Sequence, residues 1–213
     1  MKSENTMMKR ITLIFLPMLL LPLQVAHGAV TSDPLGTFFD GLKTLQADFQ
    51  QQVVNESGKV LQQASGTLWI QRPGKFRWDY QLPYRQLVLA DGRQLWNYDE
   101  DLEQAVVKNV DEILPSTPAM LLSGDRPITD VFMVTHLGEE SGYHWVELLP
   151  RAKETSFDRI RLGFAGDTLV KMEMRDPFNQ VTKLEFSHVR RNQILAPELF
   201  VFTPKPGVDV IGK

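Results

Sequence analysis

After position 33 the apolar residues first keep the spacing of a helix and then that of a strand. Leu35, Phe38, Phe39 and Leu42 recur three or four residues apart, which puts them on one helical face. Asp33 followed by Pro34 supplies an N-cap and a first helical residue. From Leu45 the spacing becomes two, through Leu45, Ala47, Phe49, Gln51 and Val53, as in a strand with one buried face. Strand signals then dominate. Leu87 to Ala90 and Gln94 to Tyr98 flank Asp91-Gly92, a pair suited to a tight hairpin. Ala105 to Val110 reads as a further strand, and Val131 to Leu137 and Tyr143 to Leu149 flank a loop with Gly138 and Gly142. Arg159 to Phe164, Leu169 to Met174 and Val181 to Val189 form a meander with turns at Gly166-Asp167 and Asp176 to Asn179. Thr117-Pro118 opens a short helix that Gly124 ends, and Ala196 to Leu199 makes one turn before a terminal strand.

Many antiparallel strands and few helices predict a strongly curved sheet or barrel, with the helices laying their apolar sides on its concave face. Leu87, Leu89 and Trp96 fall on one side of the Asp91 hairpin, and Val88 and Leu95 on the other. A one-sided sheet needs only one such set. Two arrangements account for this, a packed barrel plugged by helices or a cavity that a lipid can enter.

The segment Gly66 to Tyr80 is the most informative. Pro73-Gly74 marks a turn, since proline presets φ and glycine accepts positive φ. A two-residue loop would set Ile70 against Arg77 and Leu68 against Asp79, mixing apolar and charged groups. A three-residue loop that includes Lys75 pairs Arg72 with Phe76, Ile70 with Trp78 and Leu68 with Tyr80, and is preferred. It yields an apolar face of Leu68, Ile70, Phe76, Trp78 and Tyr80 with Arg72 at its rim, and leaves Trp69 on the polar face. By itself, Arg72 reads as the start of a solvated turn.

The N-terminus has Lys9 and Arg10, an apolar run from Ile11 to Leu23, then Val25-Ala26-His27-Gly28. This pattern describes a secretory signal over residues 1–28, cleaved after Gly28, and leaves one domain over residues 29–213. The run is short and broken by Pro17 and Pro22, so it is ill suited to span a bilayer. Removing it takes away three basic residues and one acidic, moving the net charge from −3 to −5. A mildly acidic chain argues against nucleic acid and against simple attraction to anionic headgroups. The chain has no cysteine, so its stability comes from a core and no lipid is joined through a thioether near the cleavage site. A soluble, unanchored product in an exported compartment is expected.

Catalytic chemistry is absent from the motifs. There is no Gly-x-Ser-x-Gly elbow, phosphate-cradling glycine loop or His-Glu-x-x-His helix. His136 and His144 are placed to oppose each other across a hairpin near Glu139 and Glu140, but two histidines without a defined third ligand make a poor metal site. The run Asp99, Glu100, Asp101 and Glu103 reads as a solvated hairpin tip rather than a glycosidase carboxylate pair. No enzyme, metal or cofactor is expected.

Five segments, in order, are LQADFQQ (45–51), GTLWIQRPGKFRW (66–78), DGRQLWNYDEDLEQA (91–105), TPAMLL (117–122) and FVFTPKPGVDV (200–210). Together they resemble the periplasmic outer-membrane lipoprotein carrier family, LolA. The resemblance implies a mainly β fold, an unclosed antiparallel β-barrel whose apolar cavity is covered by a helical lid. It also implies a chaperone that takes acylated lipoproteins from an inner-membrane ABC transporter (LolCDE) and delivers them to an outer-membrane acceptor (LolB), acting as a monomer in the periplasm. By that likeness Phe39, Leu42, Leu68, Ile70, Trp78, Met120 and Leu121 line or lid the cavity. Arg72 takes the place of the arginine that latches the lid, and Phe76 that of the aromatic used in exchange with the partners. Lys75-Phe76-Arg77 is more basic than the family pattern beside this turn. The alternative of the same fold is a lipid- or lipoprotein-sensing regulatory protein. The lipid-anchored acceptor is disfavoured by the missing cysteine.

Overall fold

A computed structural model describes residues 33–110, 118–153 and 155–212; the signal segment, residues 111–117 and Thr117 among them lie outside these. Helix α1 (Pro34–Phe39) is capped by Asp33, whose side chain accepts from the Gly36 N–H at 2.9 Å. It stops one turn before the expected Leu42 because Asp40 turns extended (φ −64°, ψ 125°); Gly41 follows at a φ of 61°, and Leu42 packs into the core from the link. Then come β1 (Thr44–Val54), β2 (Val60–Gln71), β3 (Lys75–Leu82), β4 (Gln86–Asp91), β5 (Gln94–Asp99) and β6 (Gln104–Asn109). Helices α2 (Pro118–Ser123) and α3 (Ile128–Val131) lead into β7 (Phe132–Glu140), β8 (Tyr143–Pro150), β9 (Arg159–Ala165), β10 (Thr168–Arg175) and β11 (Val181–Arg191). A 3-10 turn at Pro197–Phe200 precedes β12 (Asp209–Ile211).

Among the described residues, twelve strands belong to one sheet in the order β12-β6-β5-β4-β3-β2-β1-β11-β10-β9-β8-β7. The two ends of the sheet, β12 and β7, do not pair, so it is unclosed. The pairings are antiparallel except β12 with β6, which run parallel because the chain crosses back over the sheet before its last strand. Alternation decides the inner face. Leu45, Ala47, Phe49, Leu68, Ile70, Phe76, Trp78, Leu148, Ile160, Leu162, Met172 and Leu184 join Leu35, Phe38, Ala119 and Leu122 of α1 and α2 in one apolar cluster.

The other face of the β4–β5 hairpin has its own cover. Leu87 and Leu89 are buried there, Phe200 of the 3-10 turn is 2 % exposed, and the Phe202 ring stands 5.1 Å from Trp96 and 5.2 Å from Tyr98. Val88 and Leu95 pack on the inner cluster. The two-sided apolar pattern of this hairpin thus reflects a C-terminal segment folded over its back.

The β2–β3 pairing differs from the preferred register. Ile70 pairs with Phe76 and Leu68 with Trp78, and Gln71 with Lys75, so the loop is Arg72-Pro73-Gly74. The backbone N–H of Arg72 donates to the Lys43 carbonyl at 2.8 Å, which takes this residue out of the hairpin ladder. The shift is two residues, so the membership of the apolar face is unchanged. The pairing slips again at Ser65/Gly66, where Gly66 is needed because a Cβ would overlap the Asp79 carbonyl oxygen.

His136 and His144 do not oppose each other, since a bulge sets His136 against Val146 and His144 against Glu139. The Asp99 carboxylate accepts from the Asp101 and Leu102 N–H groups, both at 3.1 Å, so it shapes a turn.

Candidate functional site

The site is the end of the sheet where α1 and α2 meet the β2–β3 loop. The tight loop carries Arg72 past the last rung of the ladder and towards the end of α2. Its Nε and Nη2 both donate to the Gly124 carbonyl, at 2.8 and 2.5 Å. That carbonyl follows the last residue of α2, where helix carbonyls lack partners and carry partial negative charge, so a cation there is favourable. The Gly74 N–H from the same loop donates to the Ser123 carbonyl at 2.9 Å. The Arg72 guanidinium also stands 5.6 Å from the centre of the Phe39 ring of α1. One side chain therefore reaches both a ring of α1 and the carbonyl that follows α2.

Arg72 is half-buried, and burial lowers the pKa of its guanidinium while the Asp125 carboxylate opposes that fall. It remains a cation at neutral pH. Its charge-assisted bonding contributes about 1.5–3 kcal/mol, and the ring contact about 0.5–2 kcal/mol. The total is comparable to burying a few methylene groups at roughly 0.8 kcal/mol each.

Leu42, Leu68, Ile70 and Trp78 are buried on the inner face, and Phe39 and Leu121 are partly buried against it. The structure brings all of these together beneath or within the helices. Met120 lies in α2, but its side chain is outside the described residues. Phe76 is 2 % exposed and faces the core between Ile70 and Ala90, so it is covered. Towards the far end of the inner face the lining becomes polar: Tyr80 Oη donates to Gln51 Oε1 at 3.2 Å, and Gln86 Nε2 to Asn97 Oδ1 at 2.8 Å. Burial pushes the Tyr80 hydroxyl up to about 12.

Sequence reasoning missed Arg191. At the end of β11 it donates to carbonyls of α1 and stacks near Phe38. Its strand was expected to end at Val189, and no local motif sets it apart from Arg190. Among the described residues no group of three or more His, Cys, Asp or Glu side chains is placed to hold a metal ion, and no helix is long and apolar enough to cross a membrane.

Residues 40–203 match the family described as outer membrane lipoprotein carrier protein LolA. An outer-membrane lipoprotein carrier protein from Methylococcus capsulatus is 42 % identical over 198 residues, covering 93 % of this chain and 95 % of the relative. Another, from Nitrosomonas europaea, is 43 % identical over 206 residues, covering 96 % and 99 %. A solved structure of an uncharacterised conserved protein from Thermus thermophilus shares the fold, with a TM-score of 0.52 at 12 % identity over 84 % of this chain and 96 % of that one. With a family match across most of the chain and relatives this similar over nearly their whole length, the chain belongs to the outer-membrane lipoprotein carrier family, LolA.

Proposed function

We propose that this protein carries acylated lipoproteins through the periplasm, holding their acyl chains in the space that α1 and α2 cover when it is empty. Membership of the carrier family assigns the lipoprotein carrier function, which is transport rather than catalysis. Acyl burial is worth about 0.8 kcal/mol per CH₂, so multiply acylated cargo cannot cross water uncovered. An apolar inner face roofed by two short helices is suited to receive those chains once a helix moves aside.

The observation that carries the reading is the bond from Arg72 to Gly124. A few kcal/mol held by this latch in the empty form is lost on opening and regained on release. The latch offsets part of the lipid's burial and keeps handover downhill without preventing loading. Phe39, Leu42, Leu68, Ile70, Trp78, Met120 and Leu121 contact the chains in this reading. Opening would uncover Phe76 for the donor and acceptor proteins. The donor is an inner-membrane ABC transporter (LolCDE) and the acceptor an outer-membrane lipoprotein (LolB). Residues 1–28 direct export and are removed, leaving a soluble protein that binds one cargo molecule as a monomer.

The test is release from inner-membrane vesicles. Purified mature protein, added with ATP, is expected to bring an acylated lipoprotein into the soluble fraction as a one-to-one complex. No release, with the transporter shown active by a known carrier, would overturn the reading in favour of a sensor or general lipid binder of this fold.

A further inference from the structure

A second guanidinium holds α1, and it does so from the opposite side of β1. Thr44 at the start of β1 pairs with Gln71, next to Arg72, while Leu45 pairs with Arg191 at the end of β11. Nη2 of Arg191 donates to the carbonyls of Thr37 at 3.1 Å, Phe38 at 2.7 Å and Asp40 at 3.3 Å. Its guanidinium carbon lies 5.1 Å from the centre of the Phe38 ring. That ring is fully buried and meets Phe39 at 5.1 Å and Phe164 of β9 at 5.8 Å.

The next residue extends the grip along the link to β1. Asn192 Oδ1 accepts from the Lys43 N–H at 2.8 Å, its Nδ2 donates to the Gly41 carbonyl at 3.1 Å, and its own N–H donates to the Thr44 carbonyl at 2.8 Å. Backbone groups from Thr37 to Thr44 are therefore tied to two consecutive residues at the end of a strand in the middle of the sheet. The ties described above for the end of α2, to Gly124 and Ser123, both come from a hairpin loop. A loop changes shape by rotating a few backbone torsions, whereas moving Arg191 and Asn192 means breaking the end of the β1–β11 ladder.

We propose that Arg191 is a positioning residue that pins α1 to the sheet independently of Arg72, so that cargo enters by displacing α2 while the C-terminal end of α1 stays in place. The proposal rests on the carrier reading for the identity of the cargo. In it Phe39 is the contact shared between the two systems, because the Arg72 guanidinium that releases Gly124 still faces a ring on an immobile helix. The pinned helix then offers Arg72 a fixed point to which it returns as the cavity empties.

The absence of cysteine allows spin labels at engineered cysteines without background. Thr37, Arg126 and Lys183 are exposed, on α1, just beyond α2 and on β11. Pulsed electron paramagnetic resonance on the full mature chain would compare the 37–183 and 126–183 distances, empty and with a synthetic triacylated lipopeptide whose binding is followed by co-elution. Loading is expected to shift 126–183 by several ångströms and leave 37–183 inside its empty-state distribution. In the empty protein Arg191→Gln is expected to broaden 37–183 and leave 126–183 narrow. Arg191→Lys should recover part of the narrow distribution, because all three bonds leave the single nitrogen Nη2 and an ammonium also carries three donors on one nitrogen. A 37–183 distance that moves with loading as far as 126–183, or stays narrow in Arg191→Gln, would overturn the proposal. If Arg191→Gln does not fold, the loading comparison in the wild-type background decides. If the lipopeptide fails to co-elute, the carrier reading falls, and the empty-state comparison of wild type with Arg191→Gln decides the pin.

Discussion

Two residues on the inner face show how a local chemical choice becomes measurable. Tyr80 donates its hydroxyl to Gln51, and burial raises its pKa from the ordinary 10.0 to about 12. Between those values the unfolded chain releases a proton that the folded chain keeps, so the contribution of this site is fully present below pH 10 and is lost as pH rises towards 12. The loss is at most about 2–3 kcal/mol. Denaturant unfolding at pH 8 and pH 11 should therefore show a smaller alkaline loss of stability in Tyr80→Phe than in wild type; equal losses would mean the hydroxyl is not held neutral. Gly66 acts through space rather than charge. An alanine Cβ there would run into backbone, the Asp79 carbonyl, which cannot swing aside as a side-chain tip can. Gly66→Ala should cost about 1–3 kcal/mol, seen as a lower denaturation midpoint, and an unchanged midpoint would show that the bulge has slack. The sequence displayed both residues, but the distance from Gly66 to Asp79 depends on a register slip that no local motif announces.

At the scale of elements, the β4–β5 hairpin is sandwiched between the inner cluster and the returning C-terminal segment. Phe200 is its main plug on the outer side. Phe200→Ala should destabilise by about 3–5 kcal/mol, as large-to-small changes at buried aromatic sites do. The variant should still take up lipopeptide well below its melting temperature, because the site lies on the other face; loss of uptake in folded protein would couple the two faces. The two-sided apolar pattern of this hairpin was legible in the sequence, but its cover was not. A partner more than a hundred residues away leaves no periodic trace in the strand it covers.

For the whole molecule, the proposed function sets a closed form held by a few polar contacts against an open form stabilised by lipid. Arg72→Leu removes the bonds to Gly124 and adds apolar surface at the rim. The variant should fold, accumulate as loaded carrier and transfer poorly to the acceptor, read as a raised fraction of protein co-purifying with lipoprotein and slower handover. Normal delivery would remove the latch from the mechanism. The polar lining at the far end of the inner face, from Tyr80 to Asn97, sets a limit on where the apolar part of the site reaches.

The sequence by itself determined the order of the strands along the chain, the places of α1 and α2, the apolar inner face and the position of Arg72 in a turn. These follow from short-range rules: alternation, helical spacing and the φ preferences of proline and glycine act within a few residues. Tertiary structure alone decided that Arg72 leaves the hairpin ladder to reach Gly124, that the register is shifted by two, and that Arg191 and Asn192 grip α1. It also decided that β12 runs parallel to β6. Each of these joins groups far apart in the chain, where backbone donors and acceptors are satisfied by whichever strand or helix the curvature of the sheet brings alongside.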